Sequence, residues 1–143
     1  MNNFKEILEE LIFEMGSPSL SELERMSGIK QSQFSRYLMG AYPYINSAII
    51  LADFFDVSID YLFGISSDKS HSGYGAKNLS VFLERYDKAL KDNNYTNWQF
   101  CKKFNLSESN WRHWKMGQEP KLETLIVIAE KLATSIDYLI GRF

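Results

Sequence analysis

Two segments of this chain close in nearly the same way: VSIDYLFG at 57–64 and TSIDYLIG at 134–141, 77 residues apart. Holding that offset and reading backwards without gaps pairs Ala52 with Ala129, Ile49 with Ile126 and Pro43 with Pro120. It also pairs Met39 and Gly40 with Met116 and Gly117, Tyr37 with Trp114, Phe34 with Trp111, Ile29 with Leu106, and Leu23 with Phe100. Over 17–64 the register gives 12 identities in 48 positions, with apolar residues facing apolar residues between them. A chance octapeptide match does not carry such a register, so the chain is a duplication. The 143 residues therefore divide into a first copy at 1–64, a second at 79–143, and a joining stretch at 65–78. That stretch, ISSDKSHSGYGAKN, is rich in Ser and Gly and aperiodic, and reads as a linker. Fourteen such residues span roughly 20 Å as a flexible coil and at most about 45 Å extended. Copies of about 65 residues lie near the lower limit for folding alone, which favours packing between copies or subunits.

Each copy reads as a string of short helices, giving an all-α chain of two tandem five-helix domains. Phe4, Ile7, Leu8, Leu11 and Ile12 form a stripe at spacings of three and four, the signature of an amphipathic helix. Ser19 with Glu22 fits a capping box opening a second helix at Leu20, which Gly28 ends. A third helix is expected over 30–39, stopped by Gly40 and Pro43, a fourth over 45–55, and a short fifth after Ser58. The second copy repeats the plan with a first helix over 79–91, Thr96 and Gln99 as its capping box, Ser107 capping the third helix, a fourth over 122–132, and Ser135 capping the last.

Composition excludes several classes of function. Cys101 is the only cysteine, and with His71 and His113 the only histidines no four-ligand Cys/His metal site can be assembled in one chain. The first 14 residues are acidic and amphipathic, unlike a signal peptide. Apolar runs such as 47–52 are too short to span a bilayer, so a cytoplasmic location without membrane contact is expected. No nucleophile, base and orienting acid recur in a recognisable pattern and no Gly-rich phosphate loop is present; neither an enzyme nor a cofactor is expected. Charge is split: 1–64 carries a net −5 and 65–143 a net +3 within an overall −2. The second copy thus offers the more favourable average field to a polyanion.

A helix that reads duplex DNA must project into a groove about 12 Å wide, braced by a preceding helix across the phosphates. Both copies supply the parts. The first has its turn at Ser27, Gly28 and Ile29, with Phe34, Tyr37 and Leu38 facing inward and Lys30, Gln31, Ser32, Gln33, Ser35 and Arg36 outward. The second has its turn at Phe104, Asn105 and Leu106, with Trp111 and Trp114 inward and Glu108, Ser109, Asn110, Arg112, His113 and Lys115 outward. Taken with the bracing-helix cap, the WKMG ending at 114–117, LETLIVIA at 122–129 and the closing octapeptide, both copies resemble the Cro-like, xenobiotic-response-element family of phage and bacterial repressors. The resemblance covers nearly the whole chain outside the linker. It implies base contacts from Gln31, Ser32 and Arg36, and from Glu108, Ser109 and His113. It also implies phosphate contacts at the start of the second helix, from Ser19 and Leu20 and from Thr96 and Asn97. Gln31 suits adenine and Arg36 guanine, while Lys30, Arg112, Lys115 and Lys121 are candidate phosphate partners.

The departures are informative. Glu24 stands where the family carries a small residue, at the crossing of the bracing and reading helices; a buried lone carboxylate is costly, so an opened crossing or an outward Glu24 is expected. Cys101 takes the same place in the second copy and is expected to be buried and inert. Tyr42 and Tyr44 read as a lid over the first core, ahead of a contact with DNA sugars or a partner, whereas Trp98 suits an exposed contact as well as core packing. The expected partner is double-stranded DNA, bound by a homodimer or by the two copies as a pseudo-dimer. The rival class is a protein-binding inhibitor on the same scaffold, of anti-repressor, antitoxin or anti-CRISPR type, which the acidic first copy would suit.

Overall fold

Five side-chain caps set where the helices begin in the computed structural model, which describes residues 3–69 and 76–142. Asn3 Oδ1 accepts from the Glu6 N–H (2.9 Å) and opens α1 (Phe4–Glu14). Ser19 Oγ accepts from the Glu22 N–H (3.2 Å) and opens α2 (Leu20–Ser27). There follow α3 (Gln31–Leu38), α4 (Ile45–Phe55) and α5 (Ile59–Leu62), the last capped by Ser58 Oγ on the Tyr61 N–H at 3.0 Å. A single 3₁₀ turn, Leu79–Val81, then leads into α6 (Phe82–Asp92), α7 (Asn97–Lys103), α8 (Asn110–Lys115), α9 (Leu122–Lys131) and α10 (Ile136–Leu139). Thr96 and Gln99 form the full reciprocal box at α7 (3.1 and 2.9 Å), and Ser135 caps α10 on the Tyr138 N–H at 3.1 Å. Each cap satisfies an N–H that has no partner within its own helix.

The described residues are all-helical, with no strand among them. Backbone proximity divides the chain into two compact units, Met1–Ser72 and Gly73–Phe143. That division falls inside the stretch read as a linker, of which residues 70–75, with His71, lie outside the described residues.

In unit 1, Phe4 is the hub of an aromatic cluster. Its ring stacks on Phe63 (4.8 Å between centroids) and meets Tyr37 and Tyr42 edge-on at 5.9 and 5.8 Å. Leu8, Leu23, Phe34, Leu51 and Leu62 complete the core. Unit 2 is built likewise around Phe82, Tyr86, Phe100, Leu125, Ile128 and Leu139. Asp137 and Arg142 form a buried ion pair there at 3.1 Å.

The unit 2 core shows that the repeat register is not constant. Phe4 and Leu8 correspond to Phe82 and Tyr86, an offset of 78 rather than 77. Unit 1 carries one extra residue between its first two helices, where Gly16 and Ser17 both take positive φ (94° and 54°) against Asn94 alone (61°) in unit 2.

Four local expectations are corrected. The first helix of unit 2 begins with the 3₁₀ turn rather than with α-helix. The Ser19–Glu22 box is only half made: the Glu22 carboxylate accepts from the Ser19 hydroxyl (3.3 Å) instead of reaching the backbone. Ser107 does not cap α8, since its hydroxyl pairs with that of Ser109 at 2.7 Å and α8 begins three residues after it. Leu38 is half-buried rather than part of the closed core, lying on the last turn of α3.

Candidate nucleic-acid interface

The turn between the second and third helices of each unit rests on one left-handed residue. Gly28 (φ 80°) ends α2 and Asn105 (φ 58°) follows α7, the two residue types that take this region at least cost. Ile29 is then buried and Leu106 half-buried, anchoring the chain before it enters α3 or the approach to α8. On α3, Phe34 and Tyr37 are driven into the core. That leaves Lys30, Gln31, Ser32 and Arg36 exposed, with Gln33 and Ser35 half-buried beside them. Ser19 is exposed but occupied as a cap, and Leu20 is half-buried.

Glu24 is turned toward the start of the next helix. Half-buried, it reaches across the turn so that its Oε1 accepts from the Gln31 N–H at 2.8 Å. A carboxylate at a helix N-terminus is favoured by both hydrogen bonding and the macrodipole. Glu24→Ala is therefore expected to lower unit 1 stability by about 1 kcal/mol, read from the denaturation midpoint. An unchanged midpoint would show that water caps α3 equally well. The same carboxylate places negative charge at the N-terminus of α3.

Unit 2 solves the crossing differently, because Cys101 stands in place of Glu24. Tyr86 donates its phenolic proton to Asn97 Oδ1 at 2.7 Å, and Asn97 Nδ2 donates to the Glu108 carbonyl at 3.3 Å. The Cys101 thiol lies against the same Asn97 oxygen (3.5 Å) and the Ser107 carbonyl (3.8 Å). Burial pushes the Tyr86 phenol far up, so it stays a donor at every physiological pH, and pushes the Cys101 thiol up, leaving it protonated and inert. Held by Asn97, Ser107 to Ser109 form a turn, and α8 starts two residues later than α3 does in the matched register. Asn97, expected as a phosphate contact, is thus half-buried and engaged internally. Thr96 is exposed, its oxygen occupied by the capping box.

Arg112, His113 and Lys115 are exposed on α8, and Glu108 is exposed just before it; Ser109 and Asn110 are half-buried. Lys121 is exposed at the N-terminus of α9. The tryptophans expected inside are only half-buried, and no α8 residue is fully buried. Trp114 packs edge-on against Phe82 (5.0 Å) and Tyr86 (5.5 Å). Trp111 donates its indole N–H to Asp87 at 3.0 Å and carries Lys115 Nζ 5.1 Å from its ring centroid. Asn97, Glu108, Ser109, Trp111 and Arg112 line an open recess of about 420 Å³ at the α7–α8 junction. Of the tyrosines read as a lid, Tyr42 does cover Phe4 and Phe63, whereas Tyr44 is 88% exposed. Met39 and Met116, at matched positions after the third helix of each unit, are 85% and 80% exposed.

Sequence reasoning missed the Glu24 cap and the Tyr86–Asn97–Glu108 clamp; the only signal for either was the unusual residue at the crossing. Among the described residues no cluster of His, Cys, Asp or Glu is placed to hold a metal ion, and no helix is long and apolar enough to cross a membrane. No protein-family model, no curated protein and no solved structure matches the chain.

Proposed function

We propose that the chain is a sequence-specific double-stranded DNA-binding regulator, a Cro-like repressor of phage or mobile-element type, with tandem helix-turn-helix domains joined by the Ser/Gly-rich segment. The observation that carries this reading is the pair of third helices. Each is anchored by aromatic residues on one side and presents an exposed polar, cationic face on the other, behind a side-chain-capped preceding helix. Unit 2 is the stronger reading head. Arg112, His113, Lys115 and Lys121 all lie open on a unit whose net charge is +3. In unit 1, Gln31 and Arg36 supply the base-facing chemistry, against a net −5 and the Glu24 carboxylate.

That acidity favours a second reading for unit 1, a protein-docking domain in an anti-repressor, antitoxin or anti-CRISPR type of inhibitor. Selection from random duplex DNA with the full chain, run beside Arg36→Ala and Arg112→Ala variants, tests both readings. The expected result is an enriched motif with half-sites about 34 Å apart if two heads bind. Loss of the motif with Arg112→Ala alone would assign reading to unit 2. Retention that enriches no sequence and ignores salt transfers the function to protein binding.

A further inference from the structure

Each unit carries a surface that the other lacks, and the two are opposite in charge. On unit 2, Trp98 is 53% exposed with Lys102 Nζ 4.9 Å from its ring centroid. Lys103 Nζ lies 5.5 Å from the rings of Tyr95 and Phe104 and 2.9 Å from the Tyr95 hydroxyl, and Lys131 approaches Phe104 at 5.6 Å. None of these three lysines has an ion-pair partner among the described residues. An open recess of about 410 Å³ lies between Tyr95, Trp98, Lys102 and Lys103. The matched residues of unit 1 for Trp98, Lys102, Lys103 and Lys131 are Ser21, Arg25, Met26 and Phe54, so this cationic, aromatic face belongs to unit 2 alone.

On unit 1 the outer side of α1 is the converse. Phe13 is 76% exposed among Glu9, Glu10 and Glu14. Glu14 is already held by Lys69 at 3.2 Å, but Glu9 and Glu10 have no ion pair among the described residues. With the one-residue shift of the first helix, Glu10 and Phe13 match Lys88 and Lys91, so this face too exists once per chain.

We propose that a second copy of the chain is the occupant of the α7 face, seating Phe13 beside Trp98 and setting Glu9 and Glu10 against Lys102 and Lys103. Duplex DNA satisfies only half of that surface. It offers phosphates, but its bases are stacked inside and give Trp98 nothing to cover. An exposed phenyl ring flanked by carboxylates satisfies both the aromatic recess and the lysines. The contact is head-to-tail, so a pair of copies leaves one face of each kind open and successive copies add to a ring or a row. Its few anchors place it in the small, transient class of interface.

Sedimentation velocity of the full chain without DNA, from about 1 to 200 μM in low salt, tests this. The expected result is mass rising above the 16.6 kDa chain with concentration. Glu9→Lys with Glu10→Lys, or Lys102→Glu with Lys103→Glu, weakens association by at least about tenfold, and all four together in one chain restore it. Phe13→Ala and Trp98→Ala weaken it as well. All six positions are exposed, and far-UV circular dichroism checks that helix content is kept. The proposal is overturned by a chain that stays monomeric throughout, or by association indifferent to either reversal. It is equally overturned by a four-residue swap that fails to restore association. Loss of single-stranded oligonucleotide binding as the only effect of the lysine reversals also overturns it. Because DNA is absent, failure here leaves the DNA-reading proposal standing, and the reverse holds.

Discussion

Replacing Arg112 by alanine is expected to weaken binding to the selected duplex by about 1–3 kcal/mol, five- to 150-fold, and to flatten the salt dependence. Arg112 is exposed on α8 beside the recess at the α7–α8 junction, with His113 and Lys115 on the same short helix. A guanidinium there has two possible roles, which the measurement separates. As a phosphate contact, its loss weakens all sequences alike and reduces the salt slope by about one. As a base contact, its loss relaxes preference at one position of the motif. Fluorescence anisotropy against matched and scrambled duplexes at several salt concentrations distinguishes them. Equal affinity of wild type and variant for both duplexes would remove α8 from the reading surface.

Phe4→Ala is expected to cost about 3–5 kcal/mol, the range for emptying an aromatic site in a closed core. The ring is 1% exposed and touches Tyr37, Tyr42 and Phe63, which come from α3, the loop after it, and the end of α5. A unit of about 70 residues has stability of only about 3.5–10 kcal/mol in total, so one substitution removes a large part of it. The α3 face goes with it, since Tyr37 is the residue that holds the last turn of α3 down. Hydrogen exchange resolved by peptide should show α1, α3 and α5 losing protection together. Unchanged protection in α3 would mean that Phe34 and Leu23 suffice to hold it.

Helices were legible where one short stretch of sequence settles them. The spacing of Phe4, Ile7, Leu8 and Leu11 places α1, and Ser58, Thr96 and Ser135 mark starts because a cap acts over three residues. The outward residues Lys30, Gln31, Ser32, Arg36, Arg112, His113 and Lys115 followed from the same periodicity. What escaped depends on side chains meeting across longer separations. The late start of α8 is fixed by an Asn97–Glu108 contact eleven residues apart, and the Glu24 cap spans seven. The burial of Trp111 and Trp114 was overstated for a related reason. Both indoles lie on a helix of six residues, and neither is closed over on every side. The half-made box at Ser19 shows the limit of motif reading, since Glu22 found a nearer donor than the one its spacing anticipates.

The chain from the Tyr86 hydroxyl through Asn97 to the Glu108 carbonyl means that the entry of α8 is aimed from inside the domain. If α8 reads DNA as proposed, preference for one operator over another can drift through changes at an interior phenol or amide that never meets the nucleic acid. A lineage carrying this arrangement would then have two routes to a new target, one written on α8 and one hidden beneath it.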